Sequence, residues 1–157
     1  MGIAIIETPL GSAEITGDTD GISSIKILEE NAPISAEVSE DLKNAILQLK
    51  AYFKGELHTF NLKLNPSGTD FQKRTWKALL NIPFGKTTSY LELSKQMGDV
   101  KAIRAVAAAN GKNPLRIVIP CHRVIGSDGS LTGYAGGLWR KKWLLEHENP
   151  SPQQELF

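Results

Sequence analysis

Asn65-Pro66-Ser67-Gly68 is the strongest boundary signal in the chain, and it divides the sequence into two segments. Proline lacks a backbone N–H and glycine weakens regular structure, so no helix or strand runs through this stretch. We place the boundary there, giving segments 1–67 and 68–157. A chain of 157 residues suffices for two small domains with adequate cores. No apolar run approaches the length that crosses a bilayer, and Met1 to Glu7 is not a basic segment followed by a long apolar core. Neither a membrane span nor a signal peptide is therefore expected. One cysteine excludes an internal disulfide, and a reducing cytoplasm suits its thiol. The histidines (His58, His122, His147) show no zinc spacing, so no metal is expected.

In the first segment, Ile3–Thr8, Ala13–Thr16 and Ile22–Leu28 read as strands separated by turn formers. Val38, Leu42, Ala45, Ile46, Leu49 and Phe53 recur at helical spacing, predicting a helix over Ser35–Lys54 capped by Ser35 or Ser39. Phe60–Leu64 alternates as a short strand. The second segment opens with a helix capped by Thr69 or Ser67, its apolar stripe formed by Phe71, Trp76, Leu79 and Leu80. Thr88–Met97, a turn at Gly98, and Ala102–Asn110 then spell helix, turn, helix, which ordinary helical hairpins also do. Arg116–Pro120 reads as a buried strand, Gly126–Ser130 as a turn, of a β-hairpin or wing, and Leu138–Glu148 as a last helix.

Charge divides unevenly along the chain. Residues 1–67 carry five Lys/Arg against ten Asp/Glu, whereas residues 101–143 carry eight against Asp128 alone. A basic tract of this kind suits a polyanion. The Ala102–Asn110 helix is slim, with Ala102, Ala105, Ala107, Ala108 and Ala109, and Arg104 is its one long polar side chain. Alanine favours helix for its own sake; small side chains also let a helix press into a groove. Readers of the major groove normally present several Arg, Asn or Gln side chains to base edges, and this helix offers few.

The lone thiol lies in Ile119-Pro120-Cys121-His122-Arg123-Val124. Cysteine reacts as thiolate, which a neighbouring His, Arg or helix start favours. Local chemistry leaves two readings open: an activated nucleophile, or a buried structural cysteine closing a core strand.

Pro120-Cys121-His122-Arg123-Val124 resembles the active-site motif of the O6-alkylguanine-DNA alkyltransferases, the methylated-DNA–protein-cysteine methyltransferases. The match extends through Arg104-Ala105-Val106, Asn113-Pro114, Gly133-Tyr134-Ala135-Gly136-Gly137-Leu138 and Trp143 to Glu148, covering residues 71–148. The resemblance implies an RNase H-like α/β domain followed by a mostly helical, winged helix-turn-helix domain. It implies a cytoplasmic monomer, needing no cofactor, that acts on double-stranded DNA containing O6-alkylguanine or O4-alkylthymine. Cys121 would take the alkyl group of an extruded base irreversibly, once per molecule. His122 would accept the thiol proton through a water, Glu148 would orient the imidazole, and Tyr90 would protonate the leaving guanine or hold a phosphate. On the DNA side the resemblance implies Arg104, filling the gap of the extruded nucleotide, with Ala102, Ala105 and Arg123. Asn113 would be a hinge, and Tyr134, Ala135, Gly136 and Gly137 the loop over the base. Ala135 stands where some members have serine, which puts one base-pocket hydrogen bond in doubt. Alkyltransferase-like proteins recognise damage without catalysis and replace the cysteine; Cys121 argues against that alternative.

Overall fold

A computed structural model describes residues 1–131, Tyr134 and 137–150. The chain divides into two compact units, one of 1–67 with Pro114–Val118, the other of 68–113 with the residues from Ile119 onward.

In the first unit β1 (Gly2–Thr8), β2 (Gly11–Asp18) and β3 (Gly21–Ile27) form an antiparallel meander. Ala4, Ile6, Ala13, Ile15, Ile22 and Ile25 are buried. Helix α1 (Glu40–Phe53) covers the sheet with Leu42, Ala45, Ile46, Leu49 and Tyr52. Burying each large apolar side chain here contributes roughly 1.5–3 kcal/mol. Both sheet edges find partners. Ser35 receives the Ile5 N–H on its Oγ and returns its own N–H to the Ile5 carbonyl, at 2.8 and 3.0 Å. At the β3 edge, Ile22 pairs with the backbone of Lys63 and Asn65, and Ile25 with that of Pro114 and Arg116. Blunted edges of this kind resist strand-to-strand association.

Three expectations fail here for local reasons. The helix begins at Glu40 rather than Ser35, because the Ser35 hydroxyl is committed to β1. Phe60–Leu64 forms no strand; Leu64 makes a single parallel bridge to Ile22. Arg116–Pro120 is likewise no strand. Ile117 has φ 76° with Val118 N–H bonded to the Arg116 carbonyl, and Pro120 has φ −81°, ψ 63° with Cys121 N–H bonded to the Ile119 carbonyl. These are two γ-turns, the first of the rare strained kind. A β-branched residue at positive φ is unusual, and its cost must be met by packing; Ile117 is 1% exposed.

The second unit starts with α2 (Asp70–Leu79), entered through a capping box between Thr69 and Gln72. Gly68 has to be glycine, since a Cβ there would sit 2.5 Å from the Trp76 ring. Trp76 is buried, as its place in the apolar stripe predicts, and its Nε1 donates to the Ala109 carbonyl at 2.8 Å. Helices α3 (Tyr90–Gln96) and α4 (Ile103–Gly111) form the helix-turn-helix pair, joined by a turn of 3₁₀ helix at Val100–Ala102. Two short strands, β4 (Thr88–Ser89) and β5 (Val124–Ile125), pair in parallel, and the second arm of the expected hairpin or wing falls in part on residues outside those described. Gly126–Ser130 is a turn closed by Gly126 N–H to the Ser130 carbonyl. Helix α5 (Leu138–Glu148) follows. No helix among the described residues is long and apolar enough to cross a membrane.

Candidate active site

Cys121, His122 and Arg123 form one turn of 3₁₀ helix between the Pro120 γ-turn and β5. All three are buried, Cys121 to 1% exposure and His122 to 0%. Burial alone would suit a structural cysteine, but the company it keeps does not. Glu148, at the end of α5, reaches the turn from 26 residues away. Its Oε2 lies 2.7 Å from His122 Nε2, and its two oxygens accept from Arg123 Nε at 2.7 Å and Nη2 at 2.9 Å. Arg123 Nη1 donates to the Ile82 carbonyl at 2.7 Å. A carboxylate held bidentately by arginine can only accept, so Nε2 of His122 carries the ring proton and Nδ1 the lone pair. Burial pushes His122 below its ordinary 6.5, and Arg123 and Lys141 push in the same direction; Glu148 opposes them without prevailing. The imidazole is therefore neutral at pH 7, with its basic nitrogen, Nδ1, buried and carrying no hydrogen bond, on the residue next to Cys121.

Arg123, expected on the DNA side, is instead 7% exposed and occupied by Glu148 and Ile82. A guanidinium can be buried there because a carboxylate compensates its charge. Lys141, which sequence suggested only as one of the basic tract, is wholly buried and donates to the Val124 carbonyl at 2.6 Å. Burial lowers its pKa to about 8, while the charge of Cys121 acts to raise it. By reciprocity, an ammonium in that position favours the thiolate. The signal existed in the sequence: Lys141, Leu144 and Glu148 fall on one face of α5, and all three are buried.

The end of α4 is joined to the same turn. Asn113 donates to the Ile119 carbonyl at 2.8 Å and Asn110 to the Cys121 carbonyl at 3.4 Å, one on either side of Pro120. On the opposite face of α4, Arg104, Ala105 and Ala108 are exposed, flanked by exposed Lys101 and Lys112, while Ala102 is half-buried. This is a slim surface with positive charge. Tyr90 is half-buried at the first position of α3. Tyr134 is buried, and its carbonyl accepts from the N–H of Gly137. Gly137 has φ 99°, which glycine adopts without penalty, and begins α5. Ala135 and Gly136, together with Gly133 of the same motif, lie outside the described residues. Among those described, no group of His, Cys, Asp and Glu could hold a metal ion.

The profile of the 6-O-methylguanine DNA methyltransferase DNA-binding domain matches residues 70–150, and that of the ribonuclease-like domain of the same proteins matches residues 1–66. A methylated-DNA–protein-cysteine methyltransferase of Methanosarcina acetivorans is 46% identical over 153 residues, 94% of this chain and 98% of that protein. The crystal structure of Mycobacterium tuberculosis O6-methylguanine methyltransferase superposes with TM-score 0.83 at 41% identity, covering all of both chains. Mycobacterium tuberculosis OGT in complex with DNA gives TM-score 0.83 at 45% identity over 92% of this chain and 90% of that one. The chain belongs to the 6-O-methylguanine DNA methyltransferase family.

Proposed function

We propose that this chain repairs DNA by moving the alkyl group of an O6-alkylguanine in duplex DNA onto Cys121, once per molecule. The observation that carries the reading is the buried His122–Glu148 pair at 2.7 Å, directly beside the chain's one cysteine. His122 Nδ1 accepts the thiol proton through a water, and the imidazolium so formed is stabilised by Glu148, which Arg123 fixes in place. Sulfur attacks the alkyl carbon, the carbon–O6 bond breaks, and guanine leaves with a proton for which Tyr90 is the assigned donor. The product is a thioether, which water does not readily cleave, so the protein is consumed.

The target carbon is inside the base stack, and extruding the nucleotide costs on the order of a few kcal/mol. Arg104 and the alanine face of α4 offset that cost by occupying the groove, with Ala102 and Ala105 allowing close approach. Asn113 ties this helix to the active-site turn, and Tyr134 with the loop through Ala135, Gly136 and Gly137 covers the base. Arg123 serves the catalytic group from inside. The protein acts as a cytoplasmic monomer, without a cofactor.

Incubation with duplex DNA containing O6-methylguanine, followed by intact-mass measurement, tests this. The chain should gain one methylene's mass at Cys121, stoichiometrically, and Cys121→Ser should gain none. Turnover of a large excess of methylated DNA, or binding without mass gain, would overturn it.

A further inference from the structure

Asn110 lies in the last turn of α4, 2% exposed, and its side chain takes no part in the transfer as described above. A buried primary amide has two donors and an acceptor with two lone pairs to satisfy. Its Nδ2 reaches the Cys121 carbonyl at 3.4 Å, an orientation that fixes the amide, since the flipped form would set two oxygens against each other. The Oδ1 atom is buried and has no hydrogen-bond partner. His122 Nδ1, on the residue next to Cys121, is the other buried acceptor of this turn in the same condition. Buried acceptors left unsatisfied are costly, so two beside one nucleophile require an explanation.

A single water has what both acceptors require: two hydrogens to donate, and lone pairs with which to accept. We propose that Asn110 is a positioning residue: its Oδ1, together with His122 Nδ1, holds the water that takes the Cys121 thiol proton. The water donates one hydrogen to each acceptor and accepts from the S–H. As the sulfur forms its bond to the alkyl carbon, the thiol proton passes to the water and the water's proton to Nδ1. The imidazolium is then balanced by the Glu148 carboxylate, and the water is regenerated. Without the amide oxygen the water loses one of its two anchors, and proton transfer loses its alignment. The inference rests on the proposed alkyl transfer for its biological meaning, but the thiol chemistry can be read separately.

Two variants test it: Asn110→Leu, close in volume, and Asn110→Ala, which adds no bulk to an alanine-rich helix. The measurements are single-turnover methyl transfer from O6-methylguanine duplex and Cys121 alkylation by iodoacetamide, both from pH 6 to 10. The titratable and charged groups that bear on this turn, present alike in the wild type and both variants, are His122, Arg123, Glu148 and Lys141. The variants should react about tenfold more slowly at pH 7, less than the roughly 10²–10⁴-fold of a whole positioned base, because His122 itself stays in place. Binding to undamaged duplex should not change. As pH exceeds the thiol's own pKa, hydroxide supplies the thiolate and the variant rates should converge on the wild-type rate. A defect of the same size at every pH would mean Asn110 merely packs, and an unchanged rate would mean it does nothing; either overturns the inference. If wild type takes no methyl group from DNA, the proposed function fails, while the iodoacetamide profiles still decide the role of Asn110.

Discussion

The two units bury different kinds of residue. In the first, the buried polar side chains are Thr8 and Ser12, hydroxyls that bond nearby backbone. The second buries Thr75, Ser94, Asn110, Asn113, His122, Arg123, Lys141 and Glu148. Hydroxyls cost little to bury once bonded, whereas ionised groups forfeit hydration that their partners must replace. The first unit is thus built as an apolar core under a sheet. The second gives up some of that stability to hold a base, a carboxylate and two cations around one sulfur. The contrast teaches that burial means opposite things in the two places: it is the source of stability in one and a charge against it in the other.

The sharpest way to break this comparison is to remove one member of the charged cluster. Glu148→Ala strands the Arg123 guanidinium in the interior and should cost about 3–5 kcal/mol of unfolding free energy. Urea denaturation would measure it, and methyl transfer should fall with it because His122 loses its orienting partner. Leu49→Ala, in the first unit, should cost about 2–5 kcal/mol through the cavity it leaves. It should not alter the iodoacetamide reactivity of Cys121. A Glu148→Ala loss below about 1 kcal/mol would mean that the cluster is hydrated and the contrast unreal.

Lys141 sharpens the comparison through pH. Its folded pKa is about 8, against 10.5 for the ordinary group. Below pH 8 the amine is protonated in both folded and unfolded states, and the fold bears the full penalty of burying it. Between pH 8 and 10.5 the folded amine is neutral while the unfolded one still binds its proton, so stability rises with pH across that window. Relative to Lys141→Met, which has no such group, wild type should gain on the order of 3 kcal/mol between pH 7 and 10.5. Paired urea titrations at several pH values would show it; a constant difference would place the amine in water. His122 behaves in the same sense at lower pH. Its folded pKa lies below 6.5, so its contribution is present above pH 6.5 and is lost as pH falls through the folded value.

The first unit was largely legible because its elements follow local rules. Alternation located β1 to β3, and the 3.6 period located α1. The errors there came from tertiary claims on backbone: Ser35 serves a strand edge, and the Lys63–Asn65 stretch supplies only a bridge to β3. The site was legible as a motif but not as an arrangement. Cys121 and His122 are neighbours in sequence, yet nothing local reveals that Arg123 turns inward to Glu148, since an arginine pattern reads the same on a surface. The apolar run before the cysteine imitated a strand because Ile117, Val118 and Ile119 are strand formers. Its true shape is set by the strained turn at Ile117 and by Pro120, which propensity cannot anticipate.

The smallest test concerns helix starts, one from each unit. Ser39 and Thr69 both occupy N-cap positions with extended backbone angles. Thr69 accepts from the Gln72 N–H at 3.1 Å while Gln72 returns a bond to the Thr69 N–H at 3.0 Å. Ser39 makes no side-chain cap bond. Thr69→Ala should therefore cost about 1 kcal/mol, the ordinary value of a cap. Ser39→Ala removes no such bond and should cost only about a few tenths. Urea unfolding of the two variants separates the effects if both are measured under one condition. Equal losses would mean that α1 is capped in solution after all, and that the first unit depends on a polar contact as the second does. Unequal losses would leave α1 resting on its packed face against the sheet, where Leu42, Ala45, Leu49 and Tyr52 carry it.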